Sequence, residues 1–116
     1  MKVIIAGSRD FDDYELLRKY CDFYLQSQTD IEIVSGTAKG ADQLGEKYAT
    51  EKGYQIKRFP ADWSKGKSAG YIRNEEMAKY ADALIAFWNG MSKGTEHMIN
   101  LANKYNLKIR ICNYTM

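Results

Sequence analysis

Short apolar runs alternate strictly with helical patterns along this chain, and that alternation leaves few folds open to it. Lys2 to Ala6 (KVIIA) is β-branched and nearly all apolar, as a strand buried on both faces requires. Tyr14, Leu17, Cys21, Tyr24 and Leu25 then recur at helical spacing within Asp13 to Gln26. Ile31 to Val34 is a second short strand. Ala41 to Lys52 is helical again, with Ala41, Leu44 and Tyr48 on one stripe and Gly53 to end it. Tyr54 to Phe59 is a third strand, closed by Pro60. Ala61 to about Ala69 reads as a long loop, followed by a helix from about Gly70 to Tyr80. Ala83 to Trp88 (ALIAFW) is a fourth strand, Thr95 to Tyr105 a fourth helix, and Leu107 to Cys112 (LKIRIC) a last strand.

This β-α-β-α-β-α-β-α-β order predicts an α/β, three-layer Rossmann-like fold: a parallel sheet with helices on both faces. Right-handed crossovers leave few arrangements, and a five-stranded sheet of order 3-2-1-4-5 is expected. The order then reverses between strands 1 and 4. Ligands of such sheets bind outside the carboxyl ends of the strands, at the reversal. The site is therefore expected in the loops after strands 1, 2 and 4.

Length and composition agree with one domain over residues 1–116. The chain is 45% hydrophobic and 28% charged with one proline, which excludes a disordered or collagen-like polymer. No apolar run approaches the ~18 residues of a membrane span, and the opening apolar stretch is too short for a signal peptide. Cys21 and Cys112 fit no metal spacing and read as buried thiols, so a reduced, cytoplasmic setting without metal or cofactor is expected. The net charge is +2, and the single histidine is counted neutral. That is no footprint of a nucleic-acid binder. Charge is unevenly spread, however. Asp10 to Glu32 holds seven acidic and two basic residues, whereas Lys57 to Arg73 holds five basic and one acidic.

All three predicted loops place glycine beside hydroxyl and amide groups. The first is Gly7-Ser8-Arg9-Asp10-Phe11. The second is Ser35-Gly36-Thr37-Ala38-Lys39-Gly40-Ala41-Asp42. The third is Asn89-Gly90-Met91-Ser92-Lys93-Gly94-Thr95. Glycine lets backbone approach an anion, and free amides at the next helix start point at it. Phosphate is the expected ligand chemistry, with Arg9 as an anion contact. Asp42 reads either as a helix-end carboxylate or as an acceptor for ribose hydroxyls. Arg73 and Asn74 follow the basic stretch and can reach the same cleft. None of the loops is a P-loop: only three residues separate Gly36 from Gly40, and no Lys-Ser/Thr pair follows. The dehydrogenase glycine fingerprint is missing too. His97 reads as a surface or packing residue. Trp63, Trp88, Tyr71 and Phe11 lie near loop ends, where an aromatic can stack on a base, although packing is the commoner role.

These motifs, with Gly70-Tyr71-Ile72-Arg73-Asn74-Glu75-Glu76-Met77 and Ala83 to Thr95, resemble the small YspA/cpYpsA-related branch of the SLOG superfamily. That superfamily is Rossmann-like and includes the DNA-processing Smf/DprA proteins and the LOG phosphoribohydrolases. The resemblance implies a nucleotide or nucleotide-derived ligand on the glycine loops, and self-association of the chain into a homo-oligomer. In LOG enzymes an R-K-x-x-M helix motif and a P-G-G-x-G-T-x-x-E loop serve cleavage of an N-glycosidic bond. Arg73 and Met77 match the first, with Asn74 in place of lysine. Gly94 and Thr95 match the second, but the glutamate falls on Met98, which can neither stabilise an oxocarbenium-like centre nor act as a base. Glu75 or Glu76 facing the cleft would be the substitute. Three readings follow: a nucleotide-binding or sensing domain, which is preferred; a phosphoribohydrolase using Arg73 as its catalytic arginine; and a DNA-binding module, which the near-neutral charge disfavours.

Overall fold

A computed structural model describes residues 1–114 and shows the alternation as expected. Its elements are β1 (Lys2–Gly7), α1 (Tyr14–Leu25), β2 (Glu32–Ser35), α2 (Ala41–Lys52), β3 (Gln55–Arg58), α3 (Ala69–Tyr80), β4 (Ala83–Trp88), α4 (Lys93–Lys104) and β5 (Lys108–Asn113). The five strands run parallel in the order β3-β2-β1-β4-β5. β1 is central, pairing Lys2 to Ile4 with Glu32 to Val34 on one side and Val3 to Gly7 with Ala83 to Phe87 on the other.

Successive side chains of a strand point to opposite faces, and β1 feeds two cores in that way. Val3 and Ile5 pack with Leu17, Cys21, Tyr48 and Phe87, under α1 and α2. Ile4 and Ala6 pack with Val34, Leu84, Met77 and Met98, under α3 and α4. All four β1 residues are buried, and each large one contributes about 1.5–3 kcal/mol by leaving water. α2 sits so close to the sheet that a Cβ on Gly45 would come within 2.8 Å of Ile5 Cβ and Cγ2. A side chain there would push the helix off β1.

Residues 61–69 are not a plain loop. Trp63–Ser68 form a 3-10 segment, capped by the Asp62 carboxylate, which accepts from the Ser64 amide at 3.2 Å and its hydroxyl at 2.5 Å. Gly66, at φ 84°, breaks the segment into two turns. Asp62 and Gly66 together wind a stretch that has no apolar periodicity to announce it. α4 also begins two residues before the expected Thr95, because Ser92 caps it and draws Lys93 and Gly94 into its first turn. Cys21 and Cys112 are buried free thiols. Among the described residues no helix is long and apolar enough to cross a membrane.

Candidate functional site

The loops leaving β1, β2 and β4 meet at one edge of the sheet. They border a small inner cavity of about 90 Å³ and, beside it, a groove of about 480 Å³, both about half open to solvent.

The β1 loop is stitched to β4. A Cβ on Gly7 would stand 2.2 Å from the Phe87 carbonyl oxygen, so only glycine fits. Ser8 is buried; its amide donates to Phe87 O at 3.0 Å and its hydroxyl accepts from the Asn89 amide at 3.3 Å. Arg9, the next residue, is exposed and lines both cavity and groove. Neither a carboxylate nor a hydrogen-bond partner engages its side chain among the described residues.

The β2 loop is shaped from within. The buried Ser35 hydroxyl donates to Glu46 Oε2 at 2.6 Å and accepts from the Thr37 amide at 3.1 Å. Arg58 holds the other Glu46 oxygen through Nε and Nη2, each at 2.9 Å. Gly40, at φ 81°, lies where a Cβ would be 2.4 Å from Ser8 O, so the β1 and β2 loops press together backbone to backbone. Gly40 thus fits loop to loop and lines neither space. Asp42, in the first turn of α2, is buried and points into the inner cavity. It accepts from the Ala38 amide at 3.2 Å. Burial pushes its carboxyl up to about 6, against the Ala38 hydrogen bond and the Arg73 charge, which favour ionisation.

Arg73 crosses from α3 to the β2 loop. Its Nη1 donates to Gly36 O and its Nε to Asn74 Oδ1 at 3.0 Å. Half-buried, it is held below its ordinary pKa mainly by desolvation, with Arg9 adding repulsion. Asn74 ties α3 to α4, through Gly94 O at 3.4 Å and His97 Nδ1 at 3.2 Å. His97 also packs against Tyr71, 4.3 Å between ring centroids. It is a packing residue, and burial lowers its pKa.

The β4 loop is a turn around Asn89, whose Oδ1 accepts from the amides of Met91 at 2.8 Å and Ser92 at 2.9 Å. Ser92 Oγ in turn accepts from the Thr95 amide and hydroxyl, at 3.3 and 3.0 Å. Ser92, Gly94 and Thr95 line the cavity, and a Cβ on Gly94 would meet nothing within 4 Å.

The structure thus brings Gly7, Arg9, Asp42, Arg73 and Asn74 together with Ser92, Gly94 and Thr95 around the cavity, and Gly36 and Thr37 beside the groove. Ser8, Ser35, Gly40, Asn89 and Gly90 shape the loops instead, and Lys93 lies outside both spaces. Lys39 and Gln43 line the groove without having been expected there, and Trp63, one of the aromatics near a loop end, lines it with them. Lys39 carried a signal, since it stands inside the second glycine stretch. Met98 and Met77 floor the cavity, and Asp42 is the carboxylate that lines it. Glu75 and Glu76 border a separate depression between α3 and α4, where Glu75 lies 3.8 Å from Lys79 and 3.9 Å from Lys104. They do not substitute for the glutamate that Met98 replaces. Among the described residues no group of three or more acidic, histidine or cysteine side chains is placed to hold a metal ion.

A model of the YspA, cpYpsA-related SLOG family matches residues 1–66. The Gene 61 protein of Mycobacterium phage D29 is 33% identical over 116 residues, covering 93% of each chain. Among solved structures, DNA processing protein A from Helicobacter pylori, described for its unique mode of binding single-stranded DNA, superposes with a TM-score of 0.68 at 19% identity. The match covers the whole of this chain and 66% of that one.

These likenesses correct two expectations. A small nucleotide-derived ligand, sensed or cleaved at the loops, is overturned by a structural neighbour whose ligand is a DNA strand. So is the dismissal of nucleic acid as a partner. The physical reasons lie in the site. Pockets for small molecules are concave, about 300–1,000 Å³, and bury most of the ligand. Here neither space encloses a ligand: the cavity of about 90 Å³ and the groove of about 480 Å³ are both about half open to solvent. A net charge of +2 averages over the surface and hides where the cations stand. Arg9, Lys39 and Arg73 line one groove, while acidic residues gather on and around α1.

Proposed function

The chain belongs to the YspA, cpYpsA-related SLOG family, and on that footing we propose that it binds single-stranded nucleic acid, DNA foremost, in the groove at the carboxyl edge of its sheet. The observation that carries this reading is the cluster of Arg9, Lys39 and Arg73 around the bare backbone of Gly36 in an open groove. Arg9 and Lys39 have no carboxylate partner among the described residues, so their charge is free for phosphate. Arg73 is already oriented by Gly36 O and Asn74. A guanidinium held this way contacts phosphate with little further loss of side-chain freedom. The shared fold of the DNA-binding neighbour supports the same reading.

The roles divide by position. Arg9, Lys39 and Arg73 contact phosphates. Gly36, Thr37 and Gly94 offer backbone that a strand can approach. Asn74 ties α3 to α4 beneath it, and Ser92 and Thr95 fix the start of α4. The described part of the chain carries this groove within one sheet, and we take residues 1–116 as one binding unit. Fluorescence anisotropy with a labelled 20-nucleotide DNA strand, on the parent protein and on a combined Arg9→Ala, Lys39→Ala variant, tests the proposal. Binding that weakens steeply with salt and is lost in the variant is expected. A parent protein that leaves the strand free at low salt refutes it.

A further inference from the structure

Trp63 is the feature that the loops and the fold leave unexplained. Its indole is 59% exposed, although tryptophan is normally largely buried. It opens the 3-10 segment in which no residue is buried, so it contributes little to any core. Among the described residues it has no aromatic partner, no cation over its ring and no acceptor for its indole N–H. The other tryptophan, Trp88, is half-buried and donates to Ser92 O at 3.0 Å. Trp63 nevertheless has a fixed place. It lines the groove together with Arg9, Lys39 and Arg73. A Cβ on Gly70 would stand 3.7 Å from Trp63 Cη2 and 3.8 Å from Arg73 Nη2, so indole and guanidinium are neighbours on one wall.

We infer that Trp63 is a stacking platform for an unpaired base, and that it makes the groove selective for single strands over duplex. This rests on the proposed nucleic-acid reading and adds to it the group that recognises the base. The geometry supplies what one nucleotide presents. Its phosphate meets Arg73 and Arg9, and its base meets the adjoining indole face. A base inside a duplex is stacked on both sides and has no face to offer. Stacking needs no hydrogen-bond pattern, so the platform accepts any base.

The test uses three ligands of equal length: a 12-nucleotide thymidine strand, the same backbone with abasic residues, and a 12-base-pair duplex. The parent protein is compared with Trp63→Ala and Trp63→Phe, with thermal melts confirming that all three are folded. Trp63→Ala is expected to weaken binding of the thymidine strand about five- to a hundred-fold, the worth of one aromatic–base stack. It should leave abasic binding within two-fold, and Trp63→Phe should restore most of the loss. Intrinsic fluorescence of the parent should fall on adding the thymidine strand and not the abasic one. If Trp63→Ala holds the thymidine strand as the parent does, or the parent prefers duplex, the platform is refuted while strand binding stands. If the parent binds none of the three, both readings fall together.

Discussion

Asp42 and Arg73 both close on one glycine, Gly36. A Cβ on Gly36 would lie 2.7 Å from Asp42 Oδ2 and 2.9 Å from Arg73 Nη1. The buried carboxylate and the strand-facing guanidinium therefore share a space that exists because position 36 has no side chain. Both groups lie at the point where phosphate is expected to arrive.

Three glycines should respond to substitution in three different ways. Gly7→Ala drives a methyl against the backbone carbonyl of Phe87, which cannot step aside. A stability loss of about 1–3 kcal/mol or more, on the scale of overpacking in a core, is expected in denaturant melts. Gly36→Val meets the ends of two side chains, which can give way. The fold should survive while Arg73 is displaced and strand affinity falls at least ten-fold. Gly94→Val meets open space, so its stability should stay near the parent's, and its affinity falls only to the extent that the strand runs over α4. Equal stabilities for all three variants would contradict this ordering.

Arg73→Ala removes a charge-assisted contact that Lys cannot copy in geometry. The expected loss is about 1.5–3 kcal/mol, or roughly ten- to a hundred-fold in Kd. Arg73→Lys should recover only part of it. A change below about three-fold in calorimetry for Arg73→Ala would place the guanidinium outside the interface.

Asp42 makes stability depend on acidity in an unusual direction. Its carboxyl titrates near 6 when folded, against an ordinary value of 3.8. The native state therefore binds the proton more tightly than the unfolded chain between those values. Its contribution is fully present below about pH 4 and is lost as the pH rises through 6, amounting to roughly 3 kcal/mol over that window. Asp42→Asn keeps an acceptor for the Ala38 amide and removes the charge. Above pH 6.5 this variant should melt at a higher temperature than the parent, and the two should converge toward pH 4.5. It should also bind strands more tightly at pH 7.5, since a negative charge beside Arg73 is gone. A parent whose stability rises steadily from pH 4.5 to 7 is the opposite outcome.

Phosphate contacts can be counted by salt. Three cations on a single strand give a slope of about −2 in log affinity against log salt concentration. Lys39→Ala should reduce that slope by about 0.7 while costing affinity on every sequence alike. A slope left unchanged would show that Lys39 stays in solvent.

Much of this was legible beforehand, for identifiable reasons. Val3 to Ala6 and Ala83 to Phe87 are apolar on both faces, and only central parallel strands ask for that, so the strand order followed. Gly36 and Asp42 were found because they stood in the loop and helix start after the second strand, and Arg73 because it followed a basic stretch and opened a helix. Ser8 and Ser35 show where such reading stops. Each looks like a hydroxyl donor for a ligand, yet Ser8 holds Asn89 and Ser35 holds Glu46. A one-dimensional pattern places a hydroxyl in a loop but not the partner that claims it. Trp63 was hidden by the opposite problem. An aromatic near a loop end reads as packing, and its exposure becomes visible only once the 3-10 segment is seen to cover nothing. Charge misled because one net figure was set against a ligand that feels a local field.

The central position of β1 carries a kinetic corollary. Arg9 leaves β1, Lys39 follows β2, and Arg73 lies on the helix that leads into β4, so the groove draws on pairings that join Val3 to Ala83. Such distant contacts close late and slowly during folding. No partly formed sheet can present all three cations together. A refolding chain should gain strand affinity only in its final phase, and a labelled oligonucleotide added at the start of refolding would act as a clock for the closing of the sheet.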